Sequence, residues 1–358
     1  MQWADTYISG VGAFLPRTVV SVEKAVAKGW YPAEEAELHN LAGTAVAGDL
    51  PAPEMALHAA QSALKRSGRA PADLDLLLYA STWHQGPDGW PPHSYLQRHL
   101  VGGDVLATEI RQGCNGMFIA LELAASYLGA APGRQAALLV ASDNYGTPLM
   151  DRWRMGPGYI GGDAASALVL TKEAGFARLM SVCTTTVAEA EELHRGSEPL
   201  FPPGVTVGRR ISFAARNEQF RQQVMPKGEA TSALFNIQRA LMEVVERALD
   251  ESGIKAGDLT RVAFMNYSEE IVEQRCMAVL DLPMSRSTWD YGRTIGHCGA
   301  SDQVLSLDHL LMTGQLRPGD HMLMLGTGPG VTVSSAVIKM LDLPQWVANR
   351  REMNADGR

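Results

Sequence analysis

Short apolar runs of strand length alternate with longer amphipathic stretches along most of this chain. Residues 63–74 read ALKRSGRAPADL and lead into the apolar run LLLYAST. Residues 248–259 read ALDESGIKAGDL and lead into RVAFMNY. Each block predicts a helix end, a loop and a buried strand, because polar residues at helical spacing give way to an uninterrupted apolar segment. The blocks match at Ala, Leu, Ser, Gly, Asp and Leu without a gap, at an offset of 248 − 63 = 185.

The same offset recurs downstream. RQGCNGMFIALELAASYLGAA followed by AALLVASDN corresponds to TIGHCGASDQVLSLDHLLMTG followed by HMLMLGTGPG. Each half therefore predicts helix, strand, small-residue turn, helix, strand. Strands alternating with helices imply a largely parallel sheet covered on both faces. Two such halves, 1–174 and 175–358, should pack about a pseudo-twofold axis. Residues 183–232 have no counterpart in the first half and read as an inserted cap. The repeat puts Cys114 and His297 at equivalent helix starts, where ligand sites of open α/β sheets lie.

Composition narrows the function classes. Of 358 residues, 46% are hydrophobic and 20% charged, which is globular rather than disordered. A net charge of −8 argues against a surface built to hold nucleic acid. Cys114, Cys183, Cys276 and Cys298 show no CxxC pair and no metal-ligand spacing. This excludes a disulfide scaffold, gives no metal site and fits a reducing cytoplasm. The start, MQWADTYISGVGAFLP, lacks the basic and apolar character of a secretory signal. The apolar stretch near 321–338 is broken by Gly326, Gly328, Pro329 and Gly330, so no membrane span is expected.

Candidate chemistry centres on two small-residue turns. Cys114 lies in Gln112-Gly113-Cys114-Asn115-Gly116, just before the amphipathic MFIALELAASYLGA. Free N–H groups and the positive end of a helix favour a thiolate, the nucleophilic form, although packing is the commoner fate of a free cysteine. His297 lies in GHCGASD, where a helix start should depress the imidazole pKa and leave a neutral base. Asp302, five residues on, either orients that imidazole or caps the helix. The other three cysteines read as packing. Gly328 and Gly330, in GTGPG, belong to a tight turn that lets backbone approach a ligand. His84 and His194 lie in loop-like segments of the kind that carry substrate contacts. Arg195, Arg209, Arg210 and Arg216 in the cap either form an ordinary solvated face, the default for such residues, or meet a phosphorylated substrate arm.

In these segments the chain resembles the thiolase superfamily, and within it the ketoacyl-ACP synthase III (KAS III) branch. The resemblance rests on GCNGMFIAL, YIGGDAASALVL, GHCGASD and GTGPGVTV and covers nearly the whole chain. It implies a five-layered αβαβα fold, a homodimer, acyl transfer through a cysteine thioester and a tunnel for a phosphopantetheine arm. No cofactor beyond that substrate arm, on an acyl carrier protein or coenzyme A, is implied. Elongating members of the branch use Cys, His and Asn. Here Asn266 stands where their His falls, and His297 where their Asn falls. Pro329 in the glycine loop has no N–H to donate to an oxyanion. A subgroup from antibiotic pathways is similar in these departures and makes esters or amides. The resemblance thus implies that Cys114 accepts an acyl group, a small aromatic one such as methylsalicyl or a malonyl or short one. His297, oriented by Asp302, then deprotonates a hydroxyl or amine acceptor. The alternative is decarboxylative carbon–carbon bond formation in polyketide priming.

Overall fold

A computed structural model describes residues 5–146, 149–224 and 229–349. Eleven strands form in the described residues: β1 (Tyr7–Phe14), β2 (Val19–Ser21), β3 (Gly43–Ala45), β4 (Leu76–Ala80), β5 (Leu106–Ile110), β6 (Ala136–Asp143), β7 (Ala164–Thr171), β8 (Ala177–Thr186), β9 (Leu259–Ala263), β10 (His321–Gly328) and β11 (Thr332–Met340). Five long helices matter here: α1 (Ala52–Ser67), α2 (Gly116–Gly129), α3 (Phe213–Val224), α4 (Glu229–Ser252) and α5 (Asp302–Met312). β2 and β3 pair in a small separate ribbon.

The main sheet runs β5-β4-β6-β7-β1-β8-β11-β10-β9. Apart from the edge strand β5, the order is palindromic about the β1–β8 junction: β1, β4, β6 and β7 correspond to β8, β9, β10 and β11. In each half the first-named pair of inner strands, β4 with β6 and β9 with β10, is parallel. The edge strand β5 is also parallel to β4, and the other five neighbouring pairs are antiparallel. The halves join where Tyr7 and Ile8 pair with Arg178 and Ala177. Helix ends at Ser67 and Ser252, and strand starts at Ala136 and His321, each keep the offset of 185.

Strand alternation explains the layers. On one face of the first half-sheet, Leu77, Tyr79, Leu138, Val140, Ala167 and Val169 pack on α1. On the other, Leu76, Leu78, Leu139 and Leu168 join Phe118 and Leu121 of α2 and Val304 and Leu307 of α5. That core continues onto the inner face of the second half-sheet through Met322, Met324 and Ile338. The outer face of that half-sheet, with Leu323, Leu325 and Val333, takes Leu241, Val244 and Ala248 of α4. The result is the five-layered αβαβα thiolase-like fold, with α2 and α5 as its central layer.

Three expectations need adjusting. The sheet is mixed rather than largely parallel: three neighbouring pairs are parallel, while five, including the seam between the halves, are antiparallel because β7, β8 and β11 run against their neighbours. Residues 183–186 belong to β8, so the cap begins only after the strand, and its residues 225–228 lie outside the described residues. Cys114 and His297 are also not equivalent positions. The nucleophile turn Gly113–Asn115 corresponds to Gly299–Ser301, each opening on a glycine with positive φ (55° and 61°), which makes Ala300 the counterpart of Cys114. His297 lies ahead of that turn on an extended segment bridged to Gly161.

The outer layer is closely fitted at β1. A Cβ on Gly12 would collide with the Ala59 carbonyl of α1 and lie 2.7 Å from Ala63 N. Backbone cannot yield as a side chain can, so Gly12→Ala should destabilise the fold by about 2 kcal/mol or more. Urea unfolding of the variant against the parent checks this; equal midpoints would mean that α1 does not sit this close to β1.

Candidate active site

The site forms where the two glycine turns face each other across the central layer. A Cβ on Gly116 would lie 2.8 Å from Ala80 Cβ and 3.6 Å from Ala300 Cβ, so only glycine lets α2 start this close to β4 and to the matching turn. Cys114 is half-buried at this start. His297 is held by its backbone: its N–H donates to Ile160 O (2.8 Å), and its carbonyl accepts from Gly162 N (2.9 Å). A side chain on Gly162 would collide with Ile295 O, which explains the paired glycines of YIGGDAASA.

This geometry brings Cys114, His297 and Asp302 into one line. His297 Nε2 lies 2.9 Å from Cys114 Sγ, and His297 Nδ1 lies 2.5 Å from Asp302 Oδ2. Asp302 is fully buried and accepts three further hydrogen bonds. These come from Cys298 N (2.7 Å), Asn266 N (2.9 Å) and Asn266 Nδ2 (3.0 Å). Asp302 thus both orients the imidazole and gathers the backbone at the start of α5. Burial pushes the His297 pKa down, but the Cys114 thiolate and the Asp302 carboxylate outweigh it and hold the pKa well above the ordinary histidine value. This corrects the expectation of a depressed pKa: two adjacent negative groups exceed any helix-end effect. The pair is suited to a thiolate–imidazolium state, and Nε2 becomes a base once the thiol is acylated.

The other candidate residues fall into distinct places. Asn266 is buried behind Asp302, with Nδ2 also donating to Gly296 O (2.8 Å), so it supports the carboxylate. Gly328 ends β10, and a Cβ there would lie 2.6 Å from Gln112 O; Gly330 turns the chain at φ 103°. Pro329 between them packs on Gly113 and accepts from Gln112 Nε2 (2.8 Å). His84 is half-buried in the loop after β4, two residues past Thr82, with Nε2 against Pro87 O (2.7 Å). His194 lines a cavity of about 300 Å³ beside the dyad, and burial lowers its pKa to about 4, so it is a neutral ring. Cys183, Cys276 and Cys298 are buried in packing positions. Arg195 pairs with Glu191 and Glu192, Arg209 with Glu198, and Arg210 with Asp151; Arg216 donates to His194 O. The first three are therefore paired with carboxylates, whereas Arg216 meets a backbone carbonyl and the Phe213 ring.

Sequence reasoning missed four side chains of the site. Tyr159 and Tyr267 stack at 4.7 Å between ring centroids and make edge contacts of 5.1 and 5.2 Å with the His297 ring, walling the cavity from the imidazole. Tyr159 lies in the quoted YIGGDAASA, but nothing in one sequence distinguishes it from a core aromatic. Asp143 ends the buried strand β6 and Thr82 lies just past the buried β4, positions that are themselves a weak signal. Asp143 is fully buried, and burial raises its pKa to about 7 against the hydrogen bonds from Thr82. Among the described residues no helix is long and apolar enough to cross a membrane.

With the geometry in place, comparison with known proteins defines the class. The profile for 3-oxoacyl-[acyl-carrier-protein (ACP)] synthase III matches residues 108–187, and that for its C-terminal part matches residues 249–340. The solved structure of the acyltransferase ChlB3 superposes with a TM-score of 0.91 at 60% identity, covering 96% of this chain and 99% of that one. Acetoacetyl CoA synthase NphT7 of Streptomyces sp. (strain CL190) is 26% identical over 350 residues, 93% of this chain and 98% of its own. A β-ketoacyl-[acyl-carrier-protein] synthase III of Pseudomonas aeruginosa (strain LESB58) is 28% identical over 339 residues, 93% of this chain and 96% of its own. This chain belongs to the KAS III-like family of the thiolase superfamily.

Two expectations follow from these charges. Asp302→Asn removes the charge that favours the imidazolium, so alkylation of Cys114 by iodoacetamide at pH 7 should slow about tenfold for each pKa unit lost. Intact-protein mass spectrometry gives the rate; an unchanged rate would detach Asp302 from the thiol. Asp143 carries a raised pKa in the fold but titrates near ~3.9 when unfolded. The folded chain therefore binds that proton more tightly and loses stability as pH rises from about 4 to 7. Asp143→Asn, which stays neutral, should gain in Tm relative to the parent at pH 8 compared with pH 4; a pH-independent difference counts against a buried neutral acid.

Proposed function

We propose that this protein is an acyltransferase that works by a ping-pong route through a thioester on Cys114. The observation that carries this reading is the Cys114–His297–Asp302 line, with Asn266 turned to Asp302 rather than to the thiol. The Cys114 thiolate attacks the carbonyl of a phosphopantetheine thioester on an acyl carrier protein or coenzyme A. The tetrahedral intermediate collapses, the carrier's thiolate leaves, and the His297 imidazolium protonates it. The neutral imidazole then takes the proton of an acceptor hydroxyl or amine as that group attacks the Cys114 thioester. Cys114 leaves as thiolate, regenerating the starting pair, and the product is an ester or amide. Asp302 stabilises each imidazolium along the way and fixes Nδ1 as the protonated nitrogen.

The aromatic wall of Tyr159 and Tyr267 favours a small aromatic acyl group such as methylsalicyl, while malonyl or another short acyl group also suits the cavity. The acceptor belongs to a natural-product pathway of the antibiotic type. We further expect a cytoplasmic homodimer. The edge strand β5 leaves one side unpaired and Leu106 53% exposed, a suitable seam for a second copy. The named condensing relatives support a second reading, decarboxylative carbon–carbon bond formation, in which malonyl-loaded enzyme releases CO₂.

Loading and transfer should separate by mutation. Cys114→Ala should take up no acyl group from a panel of acyl thioesters. His297→Ala should still load, more slowly, and pass the group to acceptor about 10²–10⁴-fold more slowly than the parent. Malonyl-loaded enzyme should transfer or hydrolyse malonyl intact. Steady CO₂ release with a β-ketoacyl product would establish the second reading instead, and an adduct on Cys114→Ala would remove the nucleophile.

A further inference from the structure

A thioester carbonyl under attack needs hydrogen-bond donors where its oxygen becomes negative. One donor is in place, the N–H of Cys114 at the first turn before α2. The glycine loop offers none at its contact with the nucleophile turn, because the residue packed on Gly113 is Pro329. The opposite side of the sulfur is different. Thr82, just past β4, places Oγ1 4.0 Å from Cys114 Sγ.

Thr82 is held there with unusual firmness. Both oxygens of Asp143 accept its backbone N–H, at 2.8 and 3.0 Å, and Gln85 Nε2 approaches the same carboxyl at 3.5 Å. Gly299 makes room: a Cβ there would collide with Thr82 Oγ1 and Asp143 Oδ2 and lie 2.8 Å from the Tyr145 hydroxyl. That hydroxyl is buried and makes no hydrogen bond of normal geometry. It can donate toward the Thr82 oxygen, while the Thr82 hydroxyl hydrogen has two acceptors in reach, the Asp143 carboxyl and an acyl oxygen on Cys114 Sγ. A fully buried carboxylate, a buried phenol and an obligatory glycine thus converge on one threonine hydroxyl beside the sulfur.

We propose that Thr82 Oγ–H is the second hydrogen-bond donor to the thioester oxygen on Cys114, in the place that Pro329 leaves without one. The carbonyl oxygen of an acyl group on Sγ lies two bonds from the sulfur, within hydrogen-bond reach of a hydroxyl 4.0 Å from Sγ. Asp143 and Tyr145 are positioning residues for that hydroxyl. No bond to Thr82 forms or breaks. Its hydrogen bond strengthens as the carbonyl becomes an oxyanion and relaxes as the intermediate collapses.

The proposal rests on the thioester reading above, and one pair of rates separates the two. Acylation of Cys114 is followed with p-nitrophenyl acetate, which needs no carrier recognition, by the burst of p-nitrophenolate and the acetyl adduct. Alkylation is followed with iodoacetamide, a substitution that forms no tetrahedral oxyanion. Thr82→Val should slow acetylation about 10²-fold while leaving alkylation within about twofold, which also shows that site and fold are intact. Thr82→Ser should restore acetylation to within about fivefold of the parent. Equal acetylation in Thr82→Val and the parent overturns the proposal alone. Equal losses of acetylation and alkylation overturn it in favour of an effect on the thiol. A parent protein that takes no acetyl on Cys114 overturns the thioester reading, and this proposal with it.

Discussion

The site depends on burying the Asp302 carboxylate. A carboxylate removed from water is costly unless nearly every lone pair is used, and here four hydrogen bonds from His297, Cys298 and Asn266 meet that demand. The same bonds draw together the end of β9, the extended segment before α5 and the first turn of α5. Removing any donor leaves charge without a partner, so the three segments are fixed as a unit. The imidazole orientation is a consequence of that satisfaction.

Close backbone approach is the second condition. Gly113 accommodates Pro329, Gly116 accommodates Ala80, Gly162 accommodates Ile295 and Gly299 accommodates the Thr82–Asp143 pair. Each lets one segment of the two half-sheets come nearer than a side chain would allow. The nucleophile and its base can then stand 2.9 Å apart although they belong to different halves of the chain. A duplicated scaffold supplies two similar turns, and the glycines bring them face to face.

The division of labour follows from which positions hold titratable groups. Among the described residues one imidazole touches the sulfur, and the amide of Asn266 is used on Gly296 and Asp302. A single base suits proton removal from a hydroxyl or amine better than the stabilisation of an enolate. The tyrosine pair against His297 keeps its ring fixed and lines the adjoining cavity with aromatic surface.

The layered α/β architecture was legible in the sequence because periodicity and an ungapped offset are local properties, preserved wherever the chain folds. Cys114, His297 and Asp302 were legible as candidates because small residues before an amphipathic run mark a helix start. Sequence by itself misplaced His297 by treating it as the twin of Cys114. The offset drifts to 186 at the glycine turns, and only the backbone angles of Gly113 and Gly299 reveal it. It also gave the wrong direction for the His297 pKa, since that depends on charges brought in across 183 residues of chain. Tyr159 and Tyr267 carried no local mark, and Thr82 and Asp143 only the weak one of standing at the ends of buried strands. Their roles arise from distances between segments remote in sequence. Sequence determined the elements and the nucleophile's setting; tertiary structure alone decided which groups face the sulfur, because burial and close approach are properties of the packed chain.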